Sequence, residues 1–504
     1  MAQRATTKQW LHTDLPLLRR DDLEHALSAA GSFRATIAPD LGNMAAPDGR
    51  PLFEKLSTIL YAVADGAIRW CGYVERSGWD GQAWSIEAAS FGAYPHRVPY
   101  EGEYRGVKVD PADVMREMWA HPQSYPDGNL DVQVVGATPI RVGTDSELKL
   151  AAAQAKLDAA AAVYKAENAE LARLRDVVAA SRKTVTARIA TRVARGRDRT
   201  AAKSALAARK RDLTAAKKTK DPAKIAAAQG AVNDATAAVN AAQAEWATAD
   251  AAVRRQQATV KAQAADVTAQ QKVRDSAIKV RDTAKSATDA AADLVREDGG
   301  AYKILWFDNP NCGNEIDKVT TATPFDWVER HYWGTNGDPV HQIEVLYPRA
   351  GRFRDDLRFA TGENIIKRIQ PLDDGDGFAN EVIGLGAGEG SGAVRRTIAV
   401  RDGRLRSPVV VSDKDVKFKY LMDRRIRVEL AIRKNTLTIP SIDVRDHPNA
   451  PIGSWALGDD ILVSATLPWL KQLRIRHRIV AWTQLTNTTA RLTLQRSDSF
   501  QYGG

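Results

Sequence analysis

A chain of 504 residues is long enough for about three or four domains, each with its own core. Its 44% apolar and 27% charged content excludes wholesale disorder, and its two cysteines exclude a disulfide framework or a cysteine-rich zinc site. The net charge of +10 suits an anionic partner, and no uninterrupted apolar run is long enough to cross a bilayer as a helix.

Residues 1–20 carry Arg4, Lys8, Asp14, Arg19 and Arg20 without a continuous apolar stretch, so they do not read as a signal peptide. The chain reads as made and folded in a cytoplasm. Residues 1–144 are rich in aromatics, glycine and proline. The alternating runs Ala67–Val74 and Ala83–Ala88, separated by Trp79-Asp80-Gly81, predict a β-meander with one face buried. One amphipathic helix is expected at Pro111–Ala120, with Val114, Met115, Met118 and Trp119 on one face.

From about Thr144 to Arg296 alanine dominates, and a seven-residue period appears. Leu150, Leu157, Tyr164, Leu171, Val178 and Val185 are spaced by seven, and Leu206 and Leu213 resume that register. Ile225, Val232, Val239, Trp246, Val253, Val260 and Val267 form a second series. Strict heptads over this length mean supercoiled helices, with these residues as the seam. The two series mirror each other about Thr219, where Asp221 can cap a new helix that has Pro222 at its first position. An antiparallel hairpin is therefore predicted, with arms of roughly 110 Å at about 1.5 Å per residue. Alanines at 228, 235, 242 and 249 let its backbones approach closely. Arg192 and Arg199 occupy heptad positions around Gly196, which marks a packing irregularity or a basic surface that meets another chain.

Charge is concentrated in the same segment. Residues 145–298 hold 29 Lys/Arg against 19 Asp/Glu, the chain's whole surplus, and residues 182–224 hold 15 against 3. Arg195, Arg197, Arg199, Arg209, Lys210 and Arg211 form the candidate basic interaction face; a merely solvated helix surface is the plainer reading.

After Gly299-Gly300 the β character returns. Tyr302–Phe307 begins it, Pro324–His331 reads as a short helix, and Ile426–Ile432, Ile461–Ala465, Ile475–Thr483 and Ala490–Leu494 read as strands. Turn signals stand at Asn336-Gly337, Asp376-Gly377 and Asp402-Gly403. The expected fold class is α+β: a mainly-β multi-domain body of small barrels or sandwiches, with the long coiled-coil hairpin inserted. The expected divisions are a β-rich 1–144 with one or two short helices, the hairpin at 145–298, a β-rich 299–410 and a small C-terminal barrel at 411–504.

Motifs for chemistry are weak. The glycines from Gly384 to Gly392 lack the spacing and the following helix of a dinucleotide site, so they read as a strand-to-strand loop. Asp373-Asp374-Gly375-Asp376-Gly377 lacks the ligand spacing of a calcium loop and reads as a turn. The eight histidines (12, 25, 96, 121, 331, 341, 447 and 477) show no metal-ligand spacing, and Cys71 and Cys312 read as buried small hydrophobes. No catalytic residue, cofactor or metal ligand is assigned.

Several stretches together resemble hub-type minor tail proteins of long-tailed actinobacteriophages. They are Asp65–Val74, Trp84–Phe91, Asp110–Arg116 with Gly128-Asn129-Leu130, Thr323–Trp333, and above all Asp376–Gly390, similar to the strand and glycine loop that precede the last barrel in that family. The resemblance covers most of residues 50–144 and 300–495, and it does not require the hairpin. It implies a structural virion component at the tail tip, assembled in the host cytoplasm and not an enzyme. The ring it implies is a homo-oligomer, taken as a trimer, that joins the tail tube to the tip or fibre and closes the channel before infection. Implied partners are the distal tail protein at the tube end, the tape measure and the tip or fibre proteins, with nucleic acid met only as DNA passing through the channel. The competing readings are a tail-tip cell-wall hydrolase and a coiled-coil nucleic-acid-binding protein.

Cysteines introduced at Leu206 and Val232 should crosslink within one chain, since the mirrored heptads place them within about a turn of the same level. Mass spectrometry of the crosslinked peptides checks this; efficient crosslinking between chains in place of within one refutes the intramolecular hairpin.

Overall fold

The computed structural model describes residues 1–497 apart from 17, 324, 374–376, 388–391, 414–415, 417, 435–436 and 468–470. The chain divides into two compact units, Met1–Glu147 with Asp293–Gly504, and Leu148–Ala292.

The first unit opens with β1 (Ala2–Arg4), β2 (Trp10–His12), β3 (Arg19–Ala26), β4 (Ser32–Ile37) and a single turn, α1 (Pro39–Gly42). The meander β5 (Thr58–Ala64), β6 (Ala67–Trp79) and β7 (Trp84–Ser90) follows. Asp65 and Gly66, both at positive φ, make the tight turn between β5 and β6, a conformation that suits paired strands. Asp80 Oδ1 accepts the N–H groups of Gln82 and Ala83 in the next turn. Then come β8 (Glu103–Gly106), α2 (Pro111–Gln123) and β9 (Val132–Val135). Asp110 caps α2 by accepting from Ala112 N at 2.9 Å, and Val114, Met115, Met118 and Trp119 are buried.

Two long helices follow, α3 (Ser146–Lys218) and α4 (Pro222–Asp298). Lys220 reverses the chain in the left-handed region at φ 53°. Asp221 Oδ1 then accepts from Ala223 N at 3.0 Å and Lys224 N at 3.3 Å, satisfying donors the new helix leaves free.

Beyond the helices lie β10 (Tyr302–Leu305), α5 (Cys312–Ala322), β11 (Asp326–Trp333), β12 (Pro339–Leu346), β13 (Phe353–Ala360), β14 (Leu372–Asp373), β15 (Glu381–Leu385), β16 (Arg395–Ala399) and β17 (Pro408–Ser412). The chain ends with α6 (Lys419–Arg433), β18 (Leu437–Thr438), β19 (Ser441–Arg445), β20 (Asp460–Leu467), β21 (Lys471–Gln484) and β22 (Thr489–Arg496).

One twelve-stranded sheet runs β13-β20-β21-β3-β4-β7-β6-β5-β1-β2, with β22 on β21 and β19 on β22. The fourteen-residue β21 makes this continuity possible, because its first part pairs with β20 and its last part with both β22 and β3. Strands β13, β20, β21, β22 and β19 curl into a small barrel, and Ile365 bridges Thr361 to Val444 across the gap. Phe359, Ile442, Val444, Ile461, Val463, Ile479 and Leu492 fill that barrel, so it draws β13 from well before residue 411.

A second core joins sequence from both sides of the long helices. Cys71, Phe91, Met115, Met118 and Trp119 pack with Cys312, Ile316, Val319, Trp327, Ile343 and Val345. The pairings β8 with β10 and β9 with β12 tie the same two segments together. At their junction with α3 and α4, Thr144 N donates to Gly300 O at 2.7 Å and Ser146 Oγ donates to Asp298 Oδ1 at 2.6 Å. Gly299 has φ 84°, and a Cβ there would overlap the Phe418 ring.

Two expectations about local structure are corrected. Pro324–His331 is not a helix: residue 324 lies outside the description, and Asp326–Trp333 is a strand paired with β12 over its whole length. Aromatic and β-branched residues fit a pleated, half-buried surface, and Trp327, Glu329, His331 and Trp333 share one face of it. Ile426–Ile432 is not a strand but lies in α6. Ile426 and Leu430 satisfy both periods, and Met422 with Ala431, also buried, settles the helical one. Residues 374–376 of the acidic turn and 388–391 of the glycine loop lie outside the described residues. Among the described residues, no helix is long and apolar enough to cross a membrane.

Arg478 of β21 is fully buried. Its guanidinium pairs with Asp326 at the start of β11 and donates to the carbonyls of Gly458 at 3.0 Å and Ala350 at 2.8 Å. Removing one partner of such a pair strands a charge in the interior. Asp326→Ala should therefore destabilise the first unit by about 3–5 kcal/mol, read by denaturant unfolding of tryptophan fluorescence. A loss below about 1 kcal/mol would show that water reaches the guanidinium and screens it.

Candidate functional site

Two places bring residues together in ways that bear on function: the seam and basic arm of the hairpin, and a buried cluster in the first unit.

Along the hairpin, Leu171, Val178, Val232 and Val253 are buried. Leu150, Leu157, Tyr164, Val185, Leu206, Leu213, Ile225, Val239, Trp246, Val260 and Val267 are half-buried. Where α3 lacks apolar seam residues, polar contacts cross between the arms. Arg192 donates to Asp250 at 3.1 Å, and Arg254 also reaches Asp250, at 2.9 Å. Arg199 donates to Gln243 at 3.3 Å and lies over the Trp246 ring at 4.4 Å. Gly196 faces the same ring. Arg281 covers Tyr164 in the same way at 4.6 Å.

The six basic-face residues divide accordingly. Arg199 belongs to the seam. Arg195 pairs with Asp198 at 3.4 Å and with Glu245 of the other arm at 3.1 Å, and Arg209 pairs with Asp212 at 3.5 Å. Arg197, Lys210 and Arg211 are exposed. The helices also carry a second apolar heptad. Val273, Val280 and Leu294 are 47%, 61% and 47% exposed, and Ala287 between them is exposed as well.

The buried cluster consists of Cys71 on β6, His331 on β11 and His341 on β12, whose ligand atoms all lie within 4.8 Å of one another. His331 Nδ1 is 3.0 Å from His341 Nδ1. His331 Nε2 lies 3.3 Å from Glu329 Oε2, and His341 Nε2 lies 3.4 Å from the Tyr61 hydroxyl. Glu329 is held in turn by Ser90 Oγ at 2.5 Å, Phe91 N at 3.1 Å and Gly92 N at 2.9 Å. Phe91 lies edge-on to both imidazoles, and the Tyr61 ring stacks with Trp333. Burial pushes the Cys71 thiol well up and, with His331 and Lys8 adding to it, pushes His341 down to about 2. Both are therefore neutral at neutral pH when only protons are at hand. Sequence spacing could not reveal this cluster, because 260 residues separate Cys71 from His331 and pairing of strands brings them together.

No family model matches the chain, and no curated protein matches it. Among solved structures, the chain is similar to the 43 kDa tail protein of prophage MuSo2 from Shewanella oneidensis, at 9% identity and a TM-score of 0.44, with 96% of this chain and 99% of that one covered. It is similar to a tail protein from Neisseria meningitidis at 10% identity and a TM-score of 0.45, with 98% and 96% covered. It is also similar to an Escherichia coli component of the type VI secretion system, at 7% identity and a TM-score of 0.33, with 100% and 78% covered. That component is itself described as structurally similar to the bacteriophage T4 tail proteins gp27 and gp5.

A cavity of about 480 Å³ lies between β13, β20 and β21. Its carboxylates are already engaged: Glu363 by Arg358 at 2.6 Å, and Asp355 by Arg476.

The division of the basic face is testable. Arg199→Ala removes the cation–π contact and should lower the hairpin's stability by about 0.5–1 kcal/mol. Converting Arg197, Lys210 and Arg211 together to glutamine should change it by less than about 0.5 kcal/mol. Thermal melts followed by far-ultraviolet circular dichroism compare the two, and equal losses would mean that Arg199 is not a seam residue.

Proposed function

We propose that this chain is a structural component of a phage tail tip, a hub ring that joins the tail tube to the tip or fibre and closes the channel before infection. The observation that carries the reading is the exposed apolar heptad at Val273, Val280, Ala287 and Leu294. A heptad stripe is a surface made to be covered by another helix, and an apolar stripe left to water is costly. The hairpin therefore belongs to an assembly, in which it packs against its own copies or another tail component. The residues that resemble the tail-hub family support the same reading by their placement. They lie on the β5–β6 turn and β6, on β7, at the start of α2, on β11, and on β15, which precedes β19–β22 of the last barrel.

The alternatives fit less well. A hydrolase needs a cleft with free carboxylates, whereas those of the cavity described above are ion-paired. A nucleic-acid-binding arm needs cations free to neutralise phosphates, whereas Arg192, Arg195 and Arg209 are paired with acids of the hairpin itself. The other basic-face residues, Arg197, Lys210 and Arg211, would face an acidic partner protein or the anionic envelope of the host, an attraction that weakens as salt rises.

In sedimentation analysis the full chain should run as a homotrimer. A variant with residues 148–292 replaced by a short glycine linker should keep the same oligomeric state, because ring contacts are assigned to the first unit. Neither protein should clear a peptidoglycan zymogram. A monomeric deletion variant alongside a trimeric full chain would move the ring contacts to the hairpin, and a cleared zymogram would favour the hydrolase.

A further inference from the structure

The buried cluster has a hydrogen-bonding balance that fixes what it lacks. Gln3 Nε2 donates to Lys8 O at 2.9 Å, which orients the Gln3 amide so that its Oε1 receives the Tyr61 hydroxyl proton at 2.6 Å. With its one proton given away, the Tyr61 oxygen can only accept from His341, whose Nε2 must then carry hydrogen. Glu329 Oε2 stands 3.3 Å from His331 Nε2, and an ionised carboxylate there favours hydrogen on that nitrogen. A ring that holds a single hydrogen has then placed it on the outward nitrogen. The two Nδ1 atoms, 3.0 Å apart, then face one another as bare lone pairs, beside the Cys71 thiol.

Either one Nδ1 carries a hydrogen toward the other, or a metal ion takes both lone pairs and the sulfur. We propose that Cys71, His331 and His341 are the ligands of a zinc-type divalent ion, with Glu329 and Tyr61 as the residues that orient the two imidazoles. Thiolate and imidazole are the donors that borderline-soft divalent ions take. A carboxylate on the remote nitrogen of a ligating histidine is the usual support for such a site. Charge also closes: a dication, the Cys71 thiolate and the Glu329 carboxylate sum to zero in an interior that tolerates no net charge. Lys8, whose charge bears on His341, is itself paired with Asp131 at 3.1 Å.

The geometry needs little adjustment. Tetrahedral zinc at about 2.0–2.1 Å from each nitrogen sets the nitrogens about 3.3 Å apart, close to the separation present. The sulfur, within 4.8 Å of each nitrogen, has only to approach the roughly 3.6 Å that a shared tetrahedral ion sets. Three protein ligands leave a fourth position for water. The ion would act as a clamp, because β6 precedes the long helices in sequence whereas β11 and β12 follow them.

The test uses the intact chain. Purified protein is stripped with chelator, dialysed against zinc or cobalt, and assayed for bound metal by mass spectrometry. The cobalt form is also read for its thiolate charge-transfer band. One ion per chain is expected, with a cobalt–thiolate band that Cys71→Ser abolishes and Cys312→Ser leaves intact. Zinc should raise Tm in the parent and in Cys312→Ser but not in Cys71→Ser. Glu329→Gln should keep the band while weakening zinc affinity about 10–100-fold. Circular dichroism confirms that each variant is folded; where Cys71→Ser is not, His341→Ala takes its place. A folded parent that holds no metal above background and shows no band would overturn the proposal and leave a proton shared between the two histidines.

Discussion

The structure depends on the closure of a gap. The core beneath the β5–β7 meander is built about two thirds from residues before the long helices and one third from residues after them, so it cannot form unless the two ends of a roughly 150-residue insertion stand side by side. A flexible insert closes a loop at a cost that grows by only about 0.6 kcal/mol per doubling of length, but it must be closed every time the protein folds. An antiparallel hairpin returns the chain to its starting point by its own packing. Its junction is then fixed by Ser146 with Asp298, by Thr144 with Gly300, and by two strand pairings that join the flanking segments.

The hairpin itself is a compromise between length and burial. Alanine allows close approach and helix propensity at almost every position, but it removes little apolar surface from water. The larger seam residues supply that burial at intervals, and over Arg192–Arg199 paired charges and a stacked guanidinium do the work of apolar side chains. Such contacts fix register more than they add stability, because exposed ion pairs are worth little each. The segment's excess of basic residues is thus partly structural. Most of the cations outside these pairs, and the second heptad on α4, stay exposed.

In the first unit the same economy appears in buried charge. Arg4 is fully buried and bound by Asp48, Glu54, Ser57 and Thr58. Arg354 is held by Asp356 and Asp459, which draws the Asp356 carboxyl down to about 2. Each buried cation has a fixed set of acceptors contributed by different elements, as an interior charge requires. These networks sit at joints: Arg4 at the edge of the sheet, Arg354 and Arg478 where the barrel meets its neighbouring strands.

The sequence by itself determined the periodic parts. Seven-residue spacing in the helices, two-residue alternation in β6 and β7, the Asp-Gly turns and the capped Pro222 are local signals, because each depends on backbone geometry within a few residues. Where two periods fit the same short run, as in Ile426–Ile432, or where a helical reading met aromatic residues that a neighbouring strand could bury, as in Asp326–Trp333, local pattern did not decide. Strand order was equally out of reach: nothing near β21 announces that it pairs with β3, some 460 residues earlier. The cluster of Cys71, His331 and His341 is the extreme case. Each residue alone is an ordinary buried side chain, and only the pairing of β11 with β12 and their packing against β6 turns three scattered donors into one site.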